Sequence, residues 1–195
     1  MSNYETLSDI SLTSLLKDGD DSAFTEIYRR YSKKLFIMSY NYCKNKETAE
    51  ELVQEVFVGL WDKRDLLNVQ KLQPYLATAI RFSVFKAIYK ERRRQEIINQ
   101  NITIDHAHFE EKLHAKFLQE LINESVEQLP EKCNLVYRYS REEGLNNREI
   151  SEKMKISEKT VEAHLTKALK SVRRYLNDNG IFILLASSAL EKIIK

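Results

Sequence analysis

The chain has 195 residues, 43% of them apolar, which is enough for one sizeable core or two small ones and too many for a chain disordered throughout. Its 31 basic and 29 acidic residues leave a formal charge of only +2, so bulk charge names no polyanionic partner and any nucleic-acid footprint has to be local. Two cysteines, Cys43 and Cys133, lie far apart without CxxC or repeated Cys/His spacing, so they read as reduced core residues of a cytoplasmic protein and not as a zinc or disulfide framework.

Four glycines and two prolines punctuate the whole sequence, and alternation at period two is almost absent. The expected fold class is therefore all α. The opening MSNYETLSDISLTSLL lacks the basic start and unbroken apolar run of a signal peptide. The first strong helix runs through DSAFTEIYRRYSKKLFIMSYNYC, where Phe24, Ile27, Tyr28, Tyr31, Leu35, Met38 and Tyr42 recur at spacings of three and four, with Ser22 placed to cap its start. A second, KETAEELVQEVFVGLWDKR, sets a stripe of Leu52, Val53, Val56, Phe57, Leu60 and Trp61 against a face of Glu50, Glu51, Gln54 and Glu55. A third runs from about Gln73 to Arg94, with Pro74 in its first turn, Leu76, Ala79, Ile80, Val84 and Ile88 on one side, and the basic run KERRR at its end.

The pattern then decays through EIINQNITIDHAHFEEK. This places a flexible linker at 98–111, between one small helical domain over 1–97 and a second over 112–177. Periodicity resumes with Leu113, Phe117, Leu118, Leu121, Ile122 and Val126, stops at Leu129-Pro130, and continues through Leu135, Val136 and Tyr139 to Gly144. The next stretch is NREISEKMKISEKTVEAHL. Asn146, three residues before Glu149, has the form of a capping box starting a short helix that buries Ile150 and Met154. Ser157 is placed to cap a second helix with Val161, Leu165, Ala168, Leu169, Val172 and Leu176 inside. Two helices joined by so tight a turn describe a helix-turn-helix, which makes the C-terminal domain four-helical. The turn residue that needs a positive φ falls on Lys155 instead of a glycine, at a cost of roughly 1 to 2 kcal/mol.

The outer face of that last helix carries Lys159, Glu162, Ala163, Thr166, Lys170 and Arg173, flanked by Thr160, His164 and Lys167. Hydroxyl and charged groups at its start suit base edges, and ammonium groups further along suit phosphates. Beyond it, the tail 178–195 contains IFILLASSAL, too short to span a membrane and expected to dock on the chain itself or on a partner. Catalysis finds no support: His106, His108 and His114 cluster in the linker region without a neighbouring cysteine or carboxylate set, and no glycine-rich phosphate loop or nucleophile motif is present. No metal, cofactor or small-molecule substrate is expected.

Taken together, these motifs resemble the extracytoplasmic-function (ECF) group of the sigma-70 family, the subunits that direct bacterial RNA polymerase to promoters. The resemblance rests on LLKDGDDSAFTEIYRRY, AEELVQEVFVGLW, YLATAIRFSVFKAIYKERRR and LPEKCNLVYRYSREEGLNNREISEKMKISEKTVEAHLTKALKSVRRYL, in the family's order over roughly residues 15 to 177. It implies core RNA polymerase and promoter DNA as partners, together with an anti-sigma factor, soluble or membrane-anchored. It places Glu51, Gln54 and Glu55 against the polymerase clamp, with Phe57 and Trp61 nearby. It assigns melting and reading of the downstream (−10) element to the third helix, through Tyr75, Arg81, Lys86, Lys90, Arg92 and Arg93. Phe82 and Lys86 stand where an asparagine and an aspartate are common, which alters the base preference implied there. The upstream (−35) reader would use Ser157, Lys159, Thr160, Glu162, His164 and Lys167, with Lys170 and Arg173 on phosphates. Glu162 replaces a more usual basic residue. The competing reading is a helix-turn-helix regulator that never engages polymerase, which leaves the acidic second helix and the aromatic, basic third helix without a use.

Overall fold

The computed structural model describes residues 4–67, 71–100 and 106–180, and for 96–100 and 106–111 the backbone alone. Among the described residues the fold is all α: α1 (Asp9–Lys17), α2 (Asp21–Cys43), α3 (Lys46–Asp62), α4 (Leu72–Gln100), α5 (His106–Glu127), α6 (Glu131–Arg141), α7 (Asn147–Met154) and α8 (Glu158–Asp178), with short 3-10 turns at Tyr4–Thr6 and Arg64–Leu66. The described residues form two compact units, one of those up to Phe117 together with 178–180 and the other of Leu118–Asn177, and the division falls inside α5. The segment expected as linker is helical at 98–100 and 106–111. The expectation for the tail from Ile181 onward lies outside the described residues.

The first unit is built on α1 to α4. Leu12 and Leu16 of α1, Ile27 and Leu35 of α2, Val56, Phe57 and Leu60 of α3, and Leu76 and Ile80 of α4 close one apolar core. Apolar burial of this kind is the main force holding the helices together. Two inward assignments need correction: Tyr28 is 43% exposed and Tyr42 60% exposed, because the stripe of α2 is narrower than the run of aromatics along it. The cap of α2 is likewise Asp20, whose Oδ1 accepts from the amides of Ser22 and Ala23 at 2.8 and 2.9 Å, and not Ser22. A carboxylate there also complements the helix dipole.

An ionic network ties the N-terminus to α2. Glu26, only 5% exposed, accepts from Arg29 Nε at 2.8 Å and Arg30 Nε at 2.6 Å. Arg30 reaches on to Asp9 at 3.2 Å and to the Tyr4 and Glu5 carbonyls, while the Tyr31 hydroxyl donates to Asp9. Hydrogen bonds from Arg29 and Arg30 pull the Glu26 carboxyl down to about 2. A depressed folded-state value stabilises the protein above the ordinary carboxylate range, and that contribution is lost as pH falls toward 2. Glu26→Gln is therefore expected to cost about 2 kcal/mol at neutral pH and to flatten the pH dependence of thermal unfolding between about 4.5 and 2. An equally steep acid transition in the variant would show that Glu26 is not a source of it.

In the second unit, Val136, Ile150 and Val161 are each fully buried and are packed about by Tyr139, Leu145, Met154, Ile156 and Leu165. The capping box forms as the spacing predicts: Glu149 N donates to Asn146 Oδ1 at 3.0 Å, and Asn146 N donates to Glu149 Oε2 at 2.8 Å. Ser157 caps α8 by accepting from the amide of Thr160 at 3.1 Å. Between them Lys155 takes φ 55 and ψ 47, the left-handed conformation that the sequence imposes on a non-glycine residue. Lys155→Gly removes this strain but loosens the unfolded chain, so the net change is expected to lie between zero and about 1 kcal/mol of stabilisation. A lowered melting temperature would contradict it.

Candidate nucleic-acid interface

Three surfaces carry the residues singled out in the sequence. On α8 the burial of Val161, Ala168, Val172 and Leu176 fixes the helix's roll. Ser157, Lys159, Glu162, Lys167, Lys170 and Arg173 are thereby exposed, with Thr160 and His164 half-buried beside them. The helix opens with its positive dipole end at Glu158, next to two hydroxyls, Ser157 Oγ and Thr160 Oγ1, that lie 2.8 Å apart. A capped, rigid helix with hydroxyls at the start and cations along one side fits a major groove, where the first turns meet bases and the later ones meet phosphates. His164 Nδ1 lies 3.5 Å from the buried Cys133 Sγ, a contact that no sequence spacing signals. The two are 31 positions apart, and only the packing of α6 on α8 brings them together.

On α3 the inner residues Leu52, Val53, Val56, Phe57 and Leu60 are buried, which turns Glu51, Gln54 and Glu55 outward and exposed. Lys46 reaches Glu50 at 3.7 Å, an exposed pair of little energetic weight. Phe57 requires correction as a contact residue. At 2% exposure it is core, packed against Phe24 and Tyr28 at centroid separations of 6.1 and 4.7 Å. Trp61 is half-buried, with Phe24 in T-shaped contact at 5.3 Å and the Arg64 guanidinium over its ring at 4.7 Å. Beside this face a groove between α2 and α3 is lined by Tyr28, Lys33, Phe36, Val53 and Gln54. The exposed Ile37 and Tyr40 lie further along α2 and Val58 on α3, a scatter of apolar side chains that period-based reading assigns no role.

On α4, Lys90 and Arg92 are exposed, while Arg81, Lys86 and Arg93 are half-buried. Tyr75 is 2% exposed, and burial pushes its hydroxyl up to about 12. The expectation that this ring meets unstacked bases is therefore corrected for the conformation described, in which the ring is packed away. Phe82 and Phe85 are half-buried and in ring contact with neighbours.

The model for sigma-70 region 2 matches residues 27–94, and that for sigma-70 region 4 matches residues 119–172, together more than half of the chain. The chain belongs to the sigma-70 family. It is a sigma factor, and its function is promoter-specific initiation of transcription. Solved structures similar to this sigma factor include the RsbN–BldN complex (18% identity, covering 83% of this chain and 97% of that one, TM-score 0.37) and CnrH in complex with the cytosolic domain of CnrY (16% identity, covering 86% and 96%, TM-score 0.38). The assignment rests on the family models and not on these superpositions. No curated protein matches the sigma factor. Region 2 takes in most of α2, all of α3 and the greater part of α4; region 4 takes in α6, α7 and most of α8.

Among the described residues no group of His, Cys, Asp and Glu could hold a metal ion, and no helix is long and apolar enough to cross a membrane.

Proposed function

We propose that the sigma factor divides its work between the two units, α3 binding core RNA polymerase, α4 opening and reading the downstream element, and α8 anchoring on the upstream element. The observation that carries this reading is a pair of oppositely charged outward faces on one chain. Glu51, Gln54 and Glu55 stand exposed over a packed α3 core, and Lys159, Lys167, Lys170 and Arg173 stand exposed on the second helix of a capped helix-turn-helix. An acidic and amide-bearing face is complementary to a basic protein surface, whereas the basic face is complementary to phosphate. An anti-sigma factor covering either face would silence the protein, and the site of action is the cytoplasm, in keeping with two free cysteines.

If Lys170 and Arg173 hold phosphates, neutralising both weakens binding to every DNA sequence alike. The slope of log K against log salt should become shallower by about 0.9 for each phosphate no longer neutralised. A slope equal to that of the wild type would remove both residues from the interface. The reading as a whole is tested by gel filtration of the purified protein with core polymerase. A one-to-one complex is expected, and a chain that binds DNA but never co-elutes with polymerase is a regulator of another kind.

A further inference from the structure

The contacts along α4 follow a single stripe. Lys71 immediately before the helix and Tyr75, Thr78, Phe82, Phe85 and Tyr89 within it succeed one another at spacings of four and three, which is one face of a helix. Each is met by residues of two segments that lie outside both matched regions, around His114 to Phe117 and at 178–180. Lys71 Nζ lies 2.8 Å from Asp178 Oδ2, and the Thr78 hydroxyl donates to Asn179 Oδ1 at 2.9 Å. Gly180, at φ 63, lies so close to the Tyr75 ring that an added Cβ would overlap it. Further along, Phe82 stacks on His114 with centroids 5.2 Å apart and tilts against Phe117 at 5.0 Å; Phe85 meets Phe117 at 5.6 Å, and the Lys116 ammonium sits 5.3 Å from the Tyr89 ring centre. All of these residues belong to the first unit.

We infer that this stripe is the surface on which unstacked bases are held, and that in the free sigma factor the chain's own segments 113–117 and 178–180 occupy it as a latch. The inference rests on the reading of α4 as the downstream reader. Aromatic rings and flanking cations are what an unpaired strand needs, since bases stack on rings while cations follow the backbone. The latch offers the same rings substitute partners: an imidazole and a phenyl in place of bases, and a carboxylate on Lys71 in place of a phosphate. The two occupants are mutually exclusive, because His114 and Phe117 already stand against the Phe82 ring and Phe117 against the Phe85 ring. Premature capture of single strands is thereby suppressed until polymerase or DNA displaces both segments.

The test uses the full chain, a mixed-sequence single-stranded DNA 12-mer and fluorescence anisotropy at fixed salt. Phe117→Leu with Asn179→Ala loosens the latch without changing net charge, so a rise in affinity cannot come from bulk electrostatics. Affinity is expected to rise about tenfold or more over wild type, and adding Phe85→Ala to the loosened protein should remove the gain. Unchanged affinity in a folded double variant, or a gain that survives Phe85→Ala, overturns the latch. Should the double variant not fold, Asn179→Ala alone is expected to give a smaller rise, and no rise overturns the proposal. Promoter-dependent transcription by the wild type with core polymerase separates the two failures. If initiation occurs and affinity does not rise, the latch alone is wrong; if initiation does not occur, the sigma reading of α4 falls with it.

Discussion

Reversing charge at Glu51 and Glu55 together, as Glu51→Lys with Glu55→Lys, is expected to weaken capture of core polymerase by about 100-fold or more while leaving the fold intact. Both side chains are exposed, and the packing of α3 depends on its other face, where Leu52, Val56, Phe57 and Leu60 are buried. Surface substitutions away from caps and cores usually change stability by no more than about 0.5 kcal/mol. Two new lysines against a basic partner surface replace attraction by repulsion, and like charges placed across an interface cost several kcal/mol. Titration of labelled polymerase gives the affinity, and a thermal melt gives the control. An unchanged Kd in a variant with an unchanged melting temperature would remove this face from the interface.

Ile150→Ala is expected to destabilise the second unit by about 2 to 5 kcal/mol, a large share of what a domain of that size has to lose. The helix α7 is eight residues long, and Ile150 is its buried side chain. A helix so short has no independent stability and forms because its apolar face is docked. Ile150 fills the space between Val136 and Val161, all three fully buried, so truncation leaves a cavity directly beneath the start of α8. Upstream DNA binding should fall in proportion to the fraction unfolded, while polymerase capture through α3 persists. Circular dichroism melts and DNA anisotropy read the two effects separately. A loss below about 1 kcal/mol would mean that the capping box and not the core holds α7.

Most of the helices were legible because a period near 3.6 is hard to disguise in a chain with four glycines. The whole helix-turn-helix was legible too: Asn146, Glu149, Ser157 and the strained Lys155 take the roles their spacing assigns. The nine residues of α1 were not, since ISLTSLL offers barely two turns of periodicity. Buried Glu26 ran against the rule that carboxylates stay out unless paired, although arginines three and four residues on were a readable hint of the pairing.

For the candidate site, periodicity and family position gave different answers at Phe57, and burial follows periodicity. Apolar side chains on the inner stripe pack whatever contact a related chain makes there. Pairs such as Phe82 with His114 or Cys133 with His164 join residues far apart in sequence and become visible only once helices are packed.

A sigma factor built this way has to supply the polymerase contact and the promoter contact from one chain, and run-off transcription with purified core polymerase on genomic fragments reads both at once. Promoter-dependent transcripts that need the chain are expected. They should disappear with Glu51→Lys and Glu55→Lys, and weaken with Lys170→Ala and Arg173→Ala. Transcripts absent from every fragment, or unaffected by both pairs of substitutions, would refute the division of labour between α3 and α8.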